Sequence, residues 1–251
     1  MRPQAGMLQR GRFLICSAAL SLAVLFSHAV CSFAGDIPSS SRSRTAISRV
    51  RPSLEAELSG RGMEYGSGIY LRIFKKSREL ELWIEKGGTF ELFRTYPVCS
   101  YSGKLGPKVK TGDRQSPEGF YHIRPKSMNP YSRFHLSLNI GYPNAYDRAH
   151  GRTGSALMVH GNCVSIGCYA TTDRKTEEIY ALADAALGGG QEFFRVHIFP
   201  FRMAEGNMNK YEKSKWYTFW ENLSEGYDNF EKEKRPPDVT VRGKKYHFGL
   251  S

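Results

Sequence analysis

The sequence predicts one domain with a mixed, β-rich fold, a helix that follows the central strands, and a helical extension at the C-terminus. The 251 residues include 25 glycines and 13 % aromatic residues, a composition that favours strands joined by many turns. Short apolar runs with a period of two occur between residues 69 and 98. A helical period appears later, over residues 173–186 and 207–230.

The N-terminus is typical of a secretory signal peptide. Residues 1–34 begin with three arginines and no acidic residue, continue with an apolar run from Phe13 to Phe26, and have small residues placed for cleavage before Gly35. The apolar run is shorter than the about 20 residues that a membrane-spanning helix needs. We therefore expect a periplasmic or otherwise exported protein without a stable membrane span. Retention of this segment as an N-terminal anchor is the alternative.

Three segments follow the predicted signal peptide. Residues 35–53 are rich in Ser, Arg and Pro and show no apolar period, so we interpret them as a flexible linker, followed by a short helix within 54–62. The main domain is expected over residues 63–203. Residues 204–251 form the predicted helical extension, whose aromatic residues have helical spacing and should cover the domain surface.

The main domain is predicted to begin with a hairpin and to end with a buried strand. The runs IYLRIFK (69–75) and ELELWIE (79–85) alternate in polarity and flank a turn. A helix is expected from Asp173, as its N-cap, to about Ala186, before three consecutive glycines. The other predicted strands are residues 90–98, 120–123, 134–140, 156–159 and 193–200.

The chain is basic. Its formal net charge of +12 falls to +9 when the three arginines of residues 1–34 are removed, since that segment has no acidic residue. Basic surfaces attract anionic partners. For an exported protein we expect anionic wall polymers and no nucleic acid as partners. A solvated surface accounts for most of the scattered lysines and arginines.

Three cysteines remain after cleavage, which is an odd number in an oxidising compartment. At least one thiol is therefore unpaired within the chain. Cys99 and Cys163 could form a disulfide and leave Cys168 free, or they could be two small buried residues. The sequence has no CxxC pair and no Cys/His spacing typical of zinc, so we expect no metal site.

The segment MVHGNCVSIGCYATTD, residues 158–173, combines a histidine and a cysteine in a pattern suited to nucleophilic catalysis. His160 follows an apolar strand, and Cys168 follows a tight loop of small residues. A nearby imidazole can accept the proton of a thiol and hold an ion pair with the sulfur. Gly167 lets the backbone turn closely, so that amides near Cys168 could point at a developing oxyanion. The spacing alone is weak support, because a structural cysteine and histidine often occur this close by chance.

The residues around this pair resemble the active-site signature of the YkuD-like L,D-transpeptidase catalytic-domain family. A His-Gly pair, His160-Gly161, precedes Ser165-x-Gly167-Cys168, as it does in that family. The likeness covers residues 68 to 200 and includes the runs TGD (111–113) and SPEGF (116–120). The runs YPNAYD (142–147) and CYATTD (168–173) resemble the YafK-like branch, whose members include an enzyme that detaches a lipoprotein from peptidoglycan.

The resemblance implies a β-sandwich or barrel in which residues 63–203 are the catalytic domain. It implies that Cys168 is the acyl-enzyme nucleophile and His160 its base, with the Gly161 carbonyl orienting the imidazole and the Gly167 backbone serving the oxyanion. The implied substrates are peptidoglycan stem peptides, and a wall-attached lipoprotein is a further candidate partner. No metal or cofactor is implied.

Four further residues are candidates for substrate binding. Ser165 is better suited to shaping the loop by hydrogen bonding than to attacking a substrate. His150 belongs to a second His-Gly pair that lacks a preceding apolar strand, so His160 is the preferred base and His150 is expected to line the cleft. Tyr169 follows the nucleophile directly, and His135 precedes two small polar residues in the strand predicted over 134–140.

Ala170 departs from the family pattern, because many members carry Arg two positions after the nucleophile. The usual contact of that Arg is absent here, which leaves the substrate and the transfer step open. Three functions follow. The first is an L,D-transpeptidase that acts through a cysteine thioester, and the second is a hydrolase (amidase) that releases lipoprotein or peptide from peptidoglycan. The third is a catalytically inactive module that binds the wall.

Overall fold

A computed structural model describes residue 1 and residues 36–249 of the chain. Apart from Met1, the predicted signal peptide lies outside the described residues. The helices are α1 (Ser41–Gly60), α2 (Ala145–Ala149), α3 (Asp173–Gly188), α4 (Glu205–Met208) and α5 (Tyr217–Glu233). The strands are β1 (Ile69–Phe74), β2 (Glu79–Lys86), β3 (Thr89–Pro97), β4 (Gly119–Ile123), β5 (Met128–Asn129), β6 (Ser137–Asn139), β7 (Met158–His160), β8 (Tyr169–Ala170), β9 (Phe194–Phe199), β10 (Asp238–Arg242) and β11 (Lys245–Gly249). The predicted mixed fold is confirmed.

The main sheet has five strands in the order β3-β2-β1-β9-β4. The predicted hairpin is confirmed, since β1 and β2 pair antiparallel with Leu71 opposite Leu82. The predicted final strand, β9, inserts beside β1 in a parallel arrangement and pairs antiparallel with β4. All six residues of β1 are buried, because this central strand is covered on both faces.

A second sheet carries the residues of the His-Cys segment. Its four strands have the order β5-β6-β7-β8. β6 and β7 pair antiparallel, whereas β7 and β8 pair parallel. The strand predicted over 134–140 is shorter than expected, since only residues 137–139 are extended. His135 adopts a positive φ of 70°, which ends regular strand geometry before β6.

The segment that precedes the main domain is a helix and not a flexible linker. α1 spans 20 residues, so the prediction of a linker over 35–53 is wrong. Ser40 caps the helix, and its side chain accepts a hydrogen bond from the backbone N–H of Ser43. The buried face of this helix is narrow, and the surrounding serines, arginines and Pro52 gave the sequence no visible helical period. Its buried members are Ser43, Ala46, Val50, Leu54 and Leu58.

The helix predicted after the cysteine is confirmed, and α1 packs against it. Its first residue is Asp173 and its N-cap is Thr172, so the prediction of Asp173 as the cap is wrong by one position. The reason is local: the Asp173 carboxylate accepts a hydrogen bond from the backbone N–H of Asn162 at 2.6 Å. Asp173 therefore ties the start of α3 to the loop that follows His160.

The C-terminal extension is helical at first but ends in a hairpin. As predicted, the aromatic stripe of α5 packs on the domain, with Phe219, Trp220 and Phe230 buried. The final strands β10 and β11 pair antiparallel, which the sequence analysis missed. Their two-residue turn places Gly243 and Lys244 at φ values of 55° and 61°. Lysine is uncommon in this turn, so the usual Asn-Gly signal was absent.

Within residues 36–249 no helix is long and apolar enough to cross a membrane.

Candidate active site

The parallel pairing of β7 and β8 brings the predicted base and nucleophile to one face of the second sheet. Val159 lies opposite Tyr169, and His160 lies opposite Ala170. Side chains alternate between faces along a strand, so Cys168, two residues before Ala170, is on the face that His160 occupies. Residues eight apart in the sequence thus come to the same face of the sheet, because the intervening loop returns the chain to a parallel strand.

The imidazole of His160 is held in one orientation. Its Nδ1 lies 2.6 Å from the backbone carbonyl oxygen of Gly161, so Nδ1 carries the proton and donates it to this oxygen. The ring stacks on Phe134 at a centroid distance of 4.5 Å and is 1 % exposed. Nε2 is consequently the nitrogen left to accept a proton. Burial lowers the pKa of His160, and the bond to Gly161 only partly opposes this effect.

Cys168 is the free cysteine of the described residues, because Cys99 and Cys163 form a disulfide. Of the two alternatives left open by the sequence, the structure thus shows pairing. The thiol is buried, and Sγ lies 3.8 Å from the carbonyl oxygen of Ala156, to which it donates. Burial raises the pKa of Cys168, while the Met158 backbone N–H and the charge of Lys108 lower it by less.

The two pKa directions decide the resting protonation of the pair. A raised thiol pKa and a lowered imidazole pKa both favour the neutral thiol beside the neutral imidazole. The expected thiolate–imidazolium ion pair is therefore not the favoured resting state. The reason is desolvation, which penalises the charged form of both groups more than nearby dipoles stabilise it.

The loop before Cys168 is closed by side-chain hydrogen bonds. The hydroxyl of Ser165 donates to the Cys168 carbonyl at 2.8 Å and accepts from the Gly167 N–H at 3.1 Å. Ser116 donates to the same carbonyl at 3.1 Å. Ser165 thus shapes the loop, as predicted. Because its hydroxyl already engages the Gly167 amide, that amide is not free to serve an oxyanion in this conformation.

Two glycines are required by the geometry of this site. Gly167 has a φ of 154°, and a Cβ there would lie 3.3 Å from the Leu157 side chain. A Cβ on Gly161 would lie 2.4 Å from Asp173 Oδ1 and 3.1 Å from the Phe134 carbonyl oxygen. Glycine is therefore required at position 161 by close packing. This packing lets the Gly161 carbonyl reach the imidazole of His160.

The face that holds His160 and Cys168 opens into a cavity of about 960 Å³. Ser165 and Gly167 also line it, so the structure brings these four predicted residues together. The sequence analysis missed the basic and aromatic residues of the wall. They lie outside the His-Cys segment, and the sequence analysis assigned none of them to the site: Lys108, Arg114, Arg133 and Phe134.

Three residues predicted to contact substrate lie elsewhere. Tyr169 is 1 % exposed and points to the opposite face of β8, where its hydroxyl donates to the Pro117 carbonyl at 2.7 Å. His150 ends α2 and stacks on Tyr146 outside the cavity wall. His135 pairs with Glu177 of α3 at 2.9 Å. The structure therefore does not bring these three residues to the cavity that holds Cys168.

Ala170 occupies a site with no room for a long side chain. It is fully buried, its N–H donates to Ser100 at 2.8 Å, and its carbonyl accepts from the Cys99 N–H at 3.0 Å. The adjoining disulfide joins Cys99 to Cys163. Ala170 offers no charge, so any cation that serves the cavity comes from another part of the chain.

A buried free thiol and an oriented imidazole thus line one cavity of a mixed helix and sheet fold. The chain belongs to the YkuD family of L,D-transpeptidase catalytic domains, whose model matches residues 68–198. The chain is 44 % identical over 228 residues to YafK of Escherichia coli K12, named there as a candidate L,D-transpeptidase. The match covers 91 % of this chain and 88 % of YafK, and the same values hold for YafK of strain O157:H7.

The chain also has a distant similarity to solved structures of bacterial proteins, at low sequence identity. The helical cell shape determining protein Pgp2 from Campylobacter jejuni has a TM-score of 0.43 and 17 % identity, with 74 % of this chain and 79 % of that chain covered. Bd1075 from Bdellovibrio bacteriovorus has a TM-score of 0.39 and 18 % identity, with coverages of 70 % and 78 %.

Proposed function

We propose that the protein is an exported cysteine acyl-transfer enzyme that acts on peptidoglycan stem peptides through a thioester on Cys168. One observation carries the proposal: Cys168 and the oriented His160 lie on the same face of adjacent parallel strands and line one cavity. Membership in the family supports the substrate class. The signal-like residues 1–34 support export to the periplasm.

The chemistry begins from the neutral pair. As the thiol attacks the reacting carbonyl of the stem peptide, Nε2 of His160 accepts its proton. The Nδ1–H bond to Gly161 holds the ring and stabilises the imidazolium that forms. His160 then returns the proton to the leaving amine, and the acyl group remains on Cys168 as a thioester. An entering amine or water is deprotonated by the same nitrogen when the thioester is cleaved.

The negative charge on the attacked carbonyl oxygen needs donors near Cys168. The backbone amide of Cys168 is our candidate donor, since the Gly167 amide is engaged by Ser165. Two hydroxyls, of Ser165 and Ser116, hold the Cys168 carbonyl at 2.8 and 3.1 Å and thereby fix the peptide that follows Cys168, next to the peptide that carries its N–H. The loop is therefore preorganised before substrate binds.

Hydrolysis is the second candidate function. The buried Ala170 removes the cation that many family members place behind the nucleophile, which favours a branch with altered specificity. In this alternative, water cleaves the thioester and the enzyme releases lipoprotein or peptide from peptidoglycan. Incubation with isolated cell wall and a labelled amine acceptor separates the two. New labelled cross-links identify a transferase, and loss of attached chains without labelling identifies a hydrolase.

The thioester is tested by intact-protein mass spectrometry with a stem peptide or a carbapenem. We expect an adduct on the unaltered protein and none on Cys168→Ala. His160→Gln should slow adduct formation by about 10²- to 10⁴-fold. His150→Gln is the matched control, because His150 lies outside the cavity, and it should react at the original rate. An undiminished adduct on Cys168→Ala would refute the assignment.

A further inference from the structure

The peptide group between Gly161 and Asn162 has a hydrogen bond on each of its two sides. Its carbonyl oxygen, which belongs to Gly161, accepts from Nδ1 of His160 at 2.6 Å. Its N–H, which belongs to Asn162, donates to Oδ1 of Asp173 at 2.6 Å. The imidazole of the candidate base and a carboxylate of α3 are therefore joined through a single peptide group.

A peptide group transmits the effect of such a bond from one side to the other. Its N–H and C=O share one resonance system, so a negative acceptor on the N–H favours the form with negative charge on the carbonyl oxygen. Hydrogen bonds joined in this way strengthen one another by about 10–30 % per bond. A bond to an ionised acceptor is also about twice as strong as a bond between neutral groups. The Gly161 oxygen is consequently a better acceptor for the imidazole than an ordinary carbonyl oxygen.

The loop around this peptide group is fixed on both sides of it. The Gly161 N–H donates to the Phe134 carbonyl oxygen at 3.1 Å, and the Cys163 N–H donates to the Thr171 carbonyl oxygen at 3.3 Å. Asn162 and Cys163 adopt φ values of 62° and 48°. Non-glycine residues enter this region at a cost in free energy, so the surrounding bonds are needed to keep them there. Turning the peptide group away from either of its partners would break this frame.

We propose that Asp173 is a positioning residue for the acyl-transfer reaction and stabilises the protonated form of His160 through the Gly161–Asn162 peptide group. This inference rests on the proposed function. When Nε2 accepts the thiol proton, the imidazolium gains a positive charge, which the polarised Gly161 oxygen stabilises. No proton travels along this path, because Nδ1 keeps its proton and Asp173 accepts only the N–H of Asn162. Asp173 thus has the role of the acid in a Ser-His-Asp triad, with a peptide group placed between acid and base.

The surroundings of the imidazole show why such support matters. Burial lowers the pKa of His160, and the bond to Gly161 partly opposes this effect. Among the described residues, the cavity in front of the imidazole is lined by three cations and no acidic side chain: Lys108, Arg114 and Arg133. The imidazolium therefore has no counter-charge on the cavity side. A carboxylate that acts from behind, through the peptide group, supplies negative charge without occupying the space that the substrate needs.

A favourable interaction with the helix dipole is the simpler explanation, because acidic residues are common in the first turn of a helix. Two features distinguish Asp173 from that role. Within residues 36–249 its side chain accepts one hydrogen bond, and the donor is the Asn162 N–H outside α3 and not an N–H of the helix. Oδ1 also lies so close to Gly161 that a Cβ at that position would clash with it. The carboxylate is therefore directed at the loop that orients His160.

The inference is tested by NMR titration of isotope-labelled histidine in the Cys168→Ala protein, which requires no turnover. The ring nitrogens report the pKa of His160, the Nδ1 proton reports the strength of the bond to Gly161, and His160→Gln identifies the signals. Asp173→Asn keeps an oxygen that can accept from the Asn162 N–H but removes the charge. We expect this variant to lower the pKa of His160 by about half to one unit and to move the Nδ1 proton signal upfield.

Glu178→Gln provides the matched control, since it removes a carboxylate of the same helix whose partners are Arg94 and Arg174. It should change neither the pKa of His160 nor the Nδ1 proton signal. In the protein that retains Cys168, Asp173→Asn should slow adduct formation by about three- to tenfold, and Glu178→Gln should not. Asp173→Ala, which also removes the bond to the loop, should slow it at least as much.

The Asn variant separates the charge from the bond to the loop. An unchanged pKa of His160 in Asp173→Asn overturns the inference, and so does a slowing that Asp173→Ala shows and Asp173→Asn does not, because a simple tether needs only the oxygen. A shifted pKa without any adduct on the unaltered protein would refute the proposed function but support the coupling of Asp173 to His160. Adduct formation with an unmoved pKa would do the reverse.

Discussion

Replacing Lys75 by Met removes a buried cation that joins three segments of the main domain. The ammonium of Lys75 is fully buried and donates to the carbonyl oxygens of Lys104, Gly106 and Ser116 and to Glu118 Oε1, at 2.9 to 3.0 Å. Glu118 is equally buried. Without Lys75, the Glu118 charge keeps two donors, the Gly106 N–H and the Trp220 indole, but loses its counter-charge.

The magnitude follows from that loss. Removing one partner of a buried ion pair costs about 3–5 kcal/mol, because the remaining charge is left uncompensated. Three carbonyl groups also lose a donor. We therefore expect Lys75→Met to lower the free energy of unfolding by about 3–5 kcal/mol. Urea denaturation followed by circular dichroism measures this change.

A double-mutant cycle tests the cause. Glu118→Gln removes the negative charge, so Lys75→Met should be less costly in that background, with a coupling of at least about 1 kcal/mol. Lys76→Met is the control, because Lys76 is exposed and the buried hydrogen bonds described above belong to Lys75. A loss below about 1 kcal/mol for Lys75→Met, or strictly additive effects, would refute the reasoning.

Three further predictions concern the candidate site. Because burial raises the pKa of Cys168, alkylation of its thiol by iodoacetamide should be slow at pH 7 and still rise above pH 9, and a plateau below pH 8 would contradict the neutral pair. Ser165→Ala removes two hydrogen bonds of the loop before Cys168. It should lower the free energy of unfolding, measured by urea titration, by about 1–2 kcal/mol, and the rate of thioester formation about tenfold. The control Ser77→Ala should change neither quantity. Gly167→Ala places a Cβ where φ is 154° and should cost about 1–3 kcal/mol in the same titration, and an unchanged midpoint would argue against strain there. 

The fold was predictable wherever one element carries its own signal. The hairpin of β1 and β2 follows from alternation, and α3 follows from a helical period that ends at glycines. α1 was mistaken for a linker because its buried face is only a narrow stripe among serines and arginines. That helix is stabilised by packing on α3 and by Arg49 on Glu177, neither of which is local in sequence.

The candidate site likewise has residues that the local sequence predicts and residues that only the tertiary structure brings in. The sequence by itself predicted Cys168, His160 and the glycines between them as site candidates, because the residues that resemble the family signature lie within one short segment. Only the tertiary structure decided which more distant residues join them. It turned Tyr169 into the core by strand alternation and brought Arg133 into the cavity wall through contacts with α1.

The protonation of the pair also depended on the tertiary structure. From sequence, a cysteine near a histidine suggests an ion pair, but burial of both groups favours their neutral forms. Desolvation depends on every segment packed around the site, so no local pattern encodes it. The sequence thus indicated which groups are candidates to react, whereas the packed fold shifts their pKa values toward the neutral forms and places the cations around them.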